Sequence, residues 1–182
     1  MILYKIILIS FALFMHFLSR VQASLPEKPI YCQHADNITN KFCADIAKKH
    51  KLFYYGGGGE FLTQVDKITL DFISIKDLNI TEARSLILDC MEDLLQRINN
   101  DTAIRPYLSH HPFTEKGLNL SIGLETKSGE MPPSKKIAHI VATNGFIHYN
   151  SYDHRKQTFN TIHKETYQEA LKLANISSRN IK

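Results

Sequence analysis

The sequence lacks the short motifs by which many enzymes are recognised. It contains no Gly-x-Ser-x-Gly nucleophile elbow, no His-Glu-x-x-His zinc motif, no paired-cysteine metal knuckle and no calcium-binding loop. Excess charge is also small: the 182 residues carry a formal net charge of +4, and the basic clusters are scattered along the chain. Nucleic-acid binding needs basic residues massed on one face. These absences predict no identifiable catalytic or cofactor-binding residue and no nucleic-acid partner.

The longest glycine run lies in the stretch LFYYGGGGEFL, residues 52–62. A phosphate-binding loop requires Gly-x-x-x-x-Gly-Lys-Ser/Thr, so that backbone N–H groups and a lysine meet the phosphates. Here Gly59 is followed by Glu60, whose carboxylate would repel phosphate, and the next lysine is Lys67. We therefore predict that Gly56–Gly59 form a turn or a bulge between two strands.

The N-terminal segment MILYKIILISFALFMHFLSRVQA has the organisation of a signal peptide. Lys5 precedes an apolar run from Ile6 to Leu18, and Val21 and Ala23 occupy the positions where signal peptidase accepts small residues. The apolar run is short for a membrane span, and the alternative interpretation is an uncleaved N-terminal anchor. We predict cleavage after Ala23 and export of the protein, either to the periplasm or as a secreted protein.

Cleavage would leave residues 24–182, which are enough for one domain with its own core. Loss of Lys5 and Arg20 with the signal peptide lowers the formal charge from +4 to +2. No further segment is long and apolar enough for a membrane span, so we predict none after cleavage.

The three cysteines make an odd number for an oxidising compartment. Cys90 shares one helical face with apolar residues, so we interpret it as a core residue. Cys32 and Cys43 are eleven positions apart, and a disulfide between them would tie the N-terminal segment onto the first helix. Sequence alone does not decide whether this pair is bridged, because the bond depends on Cα geometry.

Apolar periodicity, two capping boxes and short connections predict an α+β fold. Asn79 with Glu82 marks the start of a long helix, and Thr166 with Glu169 marks the start of the last one. We expect a single domain whose mainly antiparallel sheet has helices packed on one face. The predicted helices span about 39–51, 80–99 and 166 onward, and the predicted strands span 52–55, 67–75, 118–125, 136–143, 146–154 and 158–163.

Asn144-Gly145 lies between two alternating segments and predicts a two-residue hairpin turn. This register places His139 and His148 on one face of the sheet, opposite the more apolar face that should meet the helices. If Arg155-Lys156 is also a two-residue turn, His163 lies opposite His148, and three imidazoles with an open fourth position would suit zinc. Scattered surface histidines are the alternative, because a slip of one residue sends His163 to the other face.

The loop between the long helix and the next strand carries two prolines and several side chains that commonly anchor interfaces. The alternative is that Tyr107, Leu108 and Phe113 close the edge of the core. The predicted binding surface comprises Arg105, Tyr107, His110, His111 and Phe113.

The stretch ITEARSLILDC, followed by LQRINNDTAIRPYLSHHPFTEKGLNLSI, resembles a family of small exported proteins of unknown function from bacteria that live inside host cells. The later segments GFIHYNSYD and ETYQEALKLA are also similar to that family. The resemblance covers most of residues 24–182. It implies a location in the bacterial envelope or outside the cell, and it implies no activity.

Two functions follow from these observations. The first is a non-catalytic binding module of the periplasm or host-facing surface, whose partner is a protein of the envelope or host. The second is a small metal-dependent hydrolase that uses the histidine cluster on the sheet, with zinc as its only cofactor. The missing nucleophile, base and orienting group favour the binding module.

Overall fold

The computed structural model describes residues 27–179, with side chains up to residue 175. The predicted signal peptide, residues 1–23, lies outside the described residues. The helices are α1 (Ile30–His50), α2 (Ile80–Asn100) and α3 (Tyr167–Arg179), and short 3-10 helices span Arg105–Tyr107 and Glu115–Gly117. The strands are β1 (Phe53–Glu60), β2 (Lys67–Ser74), β3 (Leu118–Leu124), β4 (His139–Thr143), β5 (Phe146–Asp153) and β6 (Thr158–Thr166).

The six strands form one open sheet whose spatial order, β1-β2-β3-β4-β5-β6, follows the chain. Four neighbouring pairs are antiparallel, and β2 with β3 is parallel. Parallel strands need a long crossover, which α2 provides. The predicted single α+β domain, with a mostly antiparallel sheet and helices packed on one face, is confirmed. None of the helices within residues 27–179 has both the length and the apolarity needed to cross a membrane.

The helix-facing side of the sheet forms the core because apolar residues alternate along each central strand. Leu70, Leu120, Ala142 and Ile147 are in register across four strands, and all four are buried. The neighbouring row contains Phe72, Ile122, Ile140 and Tyr149, which are buried as well. We call the opposite side, which carries no helix among the described residues, the outer face.

The capping boxes predicted at the starts of α2 and α3 are present. The Asn79 side chain accepts a hydrogen bond from the Glu82 backbone N at 3.0 Å, and the Glu82 side chain accepts one from the Asn79 backbone N at 2.9 Å. Thr166 and Glu169 make the same reciprocal pair at the start of α3, at 3.1 and 2.8 Å. Cys90 is 1% exposed, in agreement with its predicted place in the core.

The predicted hairpin between β4 and β5 is confirmed. Asn144 and Gly145 have φ angles of 50° and 79°, the positive values that this turn requires. Val141 pairs with His148 and His139 pairs with Asn150, as the sequence predicted.

The first helix begins at Ile30, earlier than predicted, and this bears on the Cys32–Cys43 pair, whose bridging the sequence left open. Both cysteines lie in α1, and both are free and buried. Eleven residues of α-helix separate their Cα atoms by about 16 Å along the axis. A disulfide needs Cα atoms about 4.4–6.8 Å apart.

The glycine run is part of a strand, so the predicted turn is wrong. Gly56–Gly59 pair continuously with Asp71, Leu70, Thr69 and Ile68 of β2. The only irregularity in this pair lies between Tyr54 and Gly56, so a bulge is present at Tyr55. The chain reverses direction in the segment 61–66 instead.

Candidate interaction surface

The three histidines predicted to bind zinc do not converge. Asp153 pairs with Thr158, which is the register that the assumed Arg155-Lys156 turn also gives, and this register holds as far as the Asn150–Thr161 pair. A bulge on β6 then leaves Ile162 unpaired. Because of this bulge, His163 lies opposite Tyr149, and Lys164 takes the position opposite His148. A search of residues 27–179 finds no group of three potential ligands that could hold a metal ion. The register behind the zinc prediction is wrong.

His139 and His148 lie on the outer face, in agreement with the hairpin register. The His139 ring packs 5.2 Å from the Phe159 ring, and burial lowers the pKa of His139. Burial also lowers the pKa of His148, and the neighbouring Lys164 lowers it further. Both imidazoles are therefore neutral near pH 7 and pack as aromatic side chains.

His163 belongs instead to a buried polar cluster on the helix-facing side. Arg84 of α2 donates from Nε to Glu165 Oε1 at 2.8 Å and from Nη2 to Oε2 at 3.0 Å. The Tyr149 hydroxyl donates to Glu165 Oε1 at 2.6 Å. The His163 Nε2 atom lies 3.5 Å from Glu165 Oε2, is buried, and has no hydrogen-bond partner within the described part of the chain.

This cluster fixes β5 and β6 to α2. Burial alone would raise the pKa of Glu165, but the hydrogen bonds from Arg84 and Tyr149 outweigh it and lower the pKa below its usual value. Burial raises the pKa of Tyr149 far above its ordinary range, so this phenol stays protonated. Arg84 and Glu165 are only 7% and 5% exposed. The sequence carries no local signal for the cluster, because the β6 bulge decides which face Glu165 occupies.

The predicted binding loop is divided between core and surface. Phe113 is 4% exposed, and its backbone N and O both bond to the Asn99 side chain, at 2.7 and 2.9 Å. Leu108 is also buried, so these two residues close the core as the alternative interpretation proposed. Tyr107 is half-buried, and its ring stacks on His34 with centroids 5.9 Å apart.

The remaining predicted contact residues, Arg105, His110 and His111, are exposed. His110 and His111 line an open groove of about 600 Å³ together with Asp66 and Lys116. The loop backbone is tied to Val65, whose N donates to Tyr107 O at 2.7 Å. The loop is therefore held to the domain at Leu108 and Phe113, and Arg105, His110 and His111 remain at its surface.

A histidine and an aspartate meet where α1 packs on α2. His50 Nε2 lies 2.5 Å from Asp89 Oδ2, and Lys49 Nζ lies 2.6 Å from the same oxygen. The cleft beside them, about 700 Å³, also contains Ser85. The Ser85 hydroxyl donates to the Thr81 carbonyl oxygen at 3.0 Å, so it is not bonded to the imidazole. The group joins two helices and does not form a nucleophile–base pair.

The three cysteines are poor nucleophiles. All three are buried and free, and burial raises the pKa of Cys43 to about 11 and that of Cys90 to about 12. A reactive cysteine needs a lowered pKa and access to substrate.

The free edge of β1 carries three exposed aromatic side chains. Phe53 is 58% exposed, Tyr54 50%, and Tyr55 77%. In residues 27–179, the backbone groups of Gly56–Gly59 bond to no element other than β2. The sequence contains a signal for this strand. The glycine run lacks the Asn, Asp or Pro typical of turns, and it follows three strand-forming aromatic residues.

The four glycines fall into two groups by what a side chain would meet. A Cβ atom at Gly59 would lie 2.2 Å from the Lys67 carbonyl oxygen, and one at Gly57 would lie 2.7 Å from that of Thr69. Packing within the domain therefore requires glycine at these two positions. A Cβ atom at Gly56 or Gly58 would meet nothing within 4 Å. These two glycines lie on the outer face, and the fold does not need them.

Comparisons with protein-family models, curated protein sequences and solved structures find no match to this chain.

Proposed function

We propose that this chain is an exported, non-catalytic protein-interaction module that binds an extended segment of a partner by adding a strand at the free edge of β1. The observation that carries the proposal is the pair Gly56 and Gly58. Nothing in the domain requires their lack of a side chain. Glycine within a strand often marks a place where another backbone approaches closely.

Strand addition uses the backbone for affinity and flanking side chains for specificity. The unpaired backbone edge of Gly56–Gly59 supplies the first, and the exposed rings of Phe53 and Tyr55 supply the second. Aromatic side chains are enriched at the centres of protein interfaces. Natural proteins often protect an edge of this kind with lysine, proline or a bulge; β1 contains no lysine or proline, and its one bulge lies at Tyr55, before the glycines.

The remaining surfaces give little support for a catalytic site. His139, His148 and His163 lie on two different faces, so the arrangement on which the hydrolase interpretation depended is not formed. His50 and Asp89 are not bonded to a hydroxyl or thiol nucleophile.

The experiment is a selection of displayed random peptides against the folded domain, with counter-selection on Gly58→Lys. The added side chain has room, because its Cβ atom meets nothing within 4 Å, and a lysine on an edge strand opposes pairing. Asn160→Lys, an exposed position on the other edge strand, is the matched control. We expect peptides that bind the parent and Asn160→Lys proteins but lose binding to Gly58→Lys.

Hydrogen exchange locates the bound peptide. Strand addition predicts slower amide exchange within β1 when a selected peptide is present. Equal binding to Gly58→Lys, slowed exchange only in the 104–113 loop, or a library that yields no binder would contradict the proposal.

A further inference from the structure

We infer that one strand accepted by this edge is β1 of a second copy of the chain, paired antiparallel about a two-fold axis. This inference rests on the proposed function, since it names the partner of the same edge. It is carried by the order of large and small residues along β1, by the charges at the two ends of the strand, and by the protection of the opposite sheet edge.

The strand reads FYYGGGGE, with its aromatic residues in the first half and its glycines in the second. An antiparallel copy reverses this order, so the aromatic half of each strand meets the glycine half of the other. Large residues opposite small ones fill space well, and aromatic rings cover glycines in neighbouring strands.

The faces of the strand select a register. Phe53 pairs with Ile73 and Gly58 pairs with Thr69, so both lie on the outer face. Directly opposite residues of an antiparallel pair share a face. Placing Phe53 of one copy opposite Gly58 of the other therefore lets an exposed ring fill the open space above a glycine.

The same register brings the Glu60 end of each strand to the end of the other strand that follows Lys51. Lys51 precedes β1 and caps the C-terminus of α1 in the left-handed conformation, so it lies beside the strand pairing and not within it. Both residues are exposed, and Glu60 lies 2.9 Å from Lys67 of its own chain. The two-fold axis brings these opposite charges to the same end twice, which favours the antiparallel arrangement over a parallel one.

Association through β1 stops at two chains because the opposite edge of the sheet, β6, resists pairing. Pairing of β1 with β6 of another copy would be head-to-tail and would lead to a ring or a fibre. Each edge strand has one bulge, at Tyr55 in β1 and at Ile162 in β6, but only β6 also carries a lysine, Lys164, which opposes pairing. A β1–β1 contact covers both unprotected edges in one step and ends the assembly at two chains.

Sedimentation equilibrium of the purified chain lacking residues 1–23 tests the inference. We expect a dimer for the parent and for Asn160→Lys, and a monomer with unchanged circular dichroism for Gly58→Lys. Phe53→Ser is the second variant, because it removes an exposed ring without adding a side chain to the edge. It should weaken the dimer as well.

Cysteine cross-linking tests the register. Phe53→Cys/Gly58→Cys should form a covalent dimer under mild oxidation, because each new thiol lies opposite the other in the partner copy. Phe53→Cys alone is the matched control, because its two new thiols lie five positions apart along the paired strands, and it should remain uncross-linked. Cys32, Cys43 and Cys90 are buried, which limits their interference.

A parent chain that is monomeric at every concentration, or a dimer that persists in Gly58→Lys, would overturn the inference. A monomer that still binds the selected peptides at β1 would reject self-pairing alone and leave the proposed function standing. A dimer that dissociates in Gly58→Lys, but in which Phe53→Cys/Gly58→Cys cross-links no better than Phe53→Cys alone, would overturn the register.

Discussion

The two edge strands of this sheet are similar in length and differ in chemistry. Each contains one bulge, at Tyr55 in β1 and at Ile162 in β6. The β6 edge also carries Lys164 and a charged residue, Glu165, that points inward, and both features oppose the addition of another strand. The β1 edge ends in four glycines that pair evenly with β2, and it carries exposed aromatic rings.

At β6, the residue that opposes strand addition, Glu165, also anchors the strand to the core. Glu165 blocks pairing because it points inward, and it can do so only because Arg84 and Tyr149 satisfy its carboxylate. At β1 the closest ion pair, Glu60 with Lys67, is at the surface and holds nothing buried. One edge is therefore fixed and closed, and the other is left open.

The largest expected loss of stability comes from removing the Glu165 carboxylate, which anchors β6 to the core. Glu165→Gln leaves the Arg84 guanidinium buried without its counter-ion, and loss of one partner of a buried pair costs about 3–5 kcal/mol. We expect the free energy of unfolding, measured by urea denaturation, to fall by that amount.

The matched change at the open edge is Glu60→Gln, which removes an exposed ion pair and should cost less than about 1 kcal/mol. Replacing both buried partners, in Arg84→Met/Glu165→Leu, should cost less than Glu165→Gln alone, because no unpaired charge stays buried. Equal losses in Glu165→Gln and Glu60→Gln would remove the distinction between the two edges.

We expect acid to reduce the difference in unfolding free energy between the parent protein and Glu165→Gln. Burial would raise the pKa of Glu165, but the hydrogen bonds from Arg84 and Tyr149 hold it below the usual value of 4.5. A carboxylate with a lowered pKa in the folded state stabilises fully above its unfolded pKa, and this contribution is lost as the pH falls through the folded pKa.

We therefore expect the gap in unfolding free energy between the parent and Glu165→Gln to be constant above about pH 4.5 and to narrow below it. Urea titrations at a series of pH values measure this gap. A gap that stays constant throughout the acid series would show that Glu165 is not the charged partner in the folded state.

The smallest expected effects distinguish the glycines of the open edge. Gly59→Ala places a Cβ atom 2.2 Å from the Lys67 carbonyl oxygen, so backbone must shift. Overpacking of this kind costs about 1–3 kcal/mol. Gly58→Ala meets no atom within 4 Å and should stabilise the monomer by about 0.4–1 kcal/mol, since it reduces the entropy of the unfolded chain.

Urea denaturation at low protein concentration, where association does not contribute, measures both variants. We predict that Gly59→Ala lowers the free energy of unfolding and that Gly58→Ala raises it. Loss of stability in Gly58→Ala would mean that the domain itself requires this glycine, and the main argument for a partner at β1 would fail.

Features set by neighbouring residues were predicted correctly from the sequence. The capping box at Asn79 and the hairpin turn at Asn144-Gly145 formed as expected, because the groups that make them are a few residues apart. The apolar alternation of β4 and β5 also indicated the correct core face. These interactions have nearly the same energy in any fold that contains the segment.

Features set by distant pairing were not predictable in the same way. The glycine run became a strand because β2 supplied a partner, which outweighs the low strand propensity of glycine. One unpaired residue in β6 sent His163 away from His148, because side chains alternate between faces with a period of two.

Local chemistry thus decided where α2 and α3 begin, where the Asn144-Gly145 turn lies, and which faces of β4 and β5 are apolar. Only the assembled sheet decided which edges stay free, where Glu165 is buried, and that Gly56 and Gly58 face open space. The physical reason is that caps and turns are stabilised within a few residues of chain, whereas register, bulges and edge exposure depend on contacts between residues far apart in sequence.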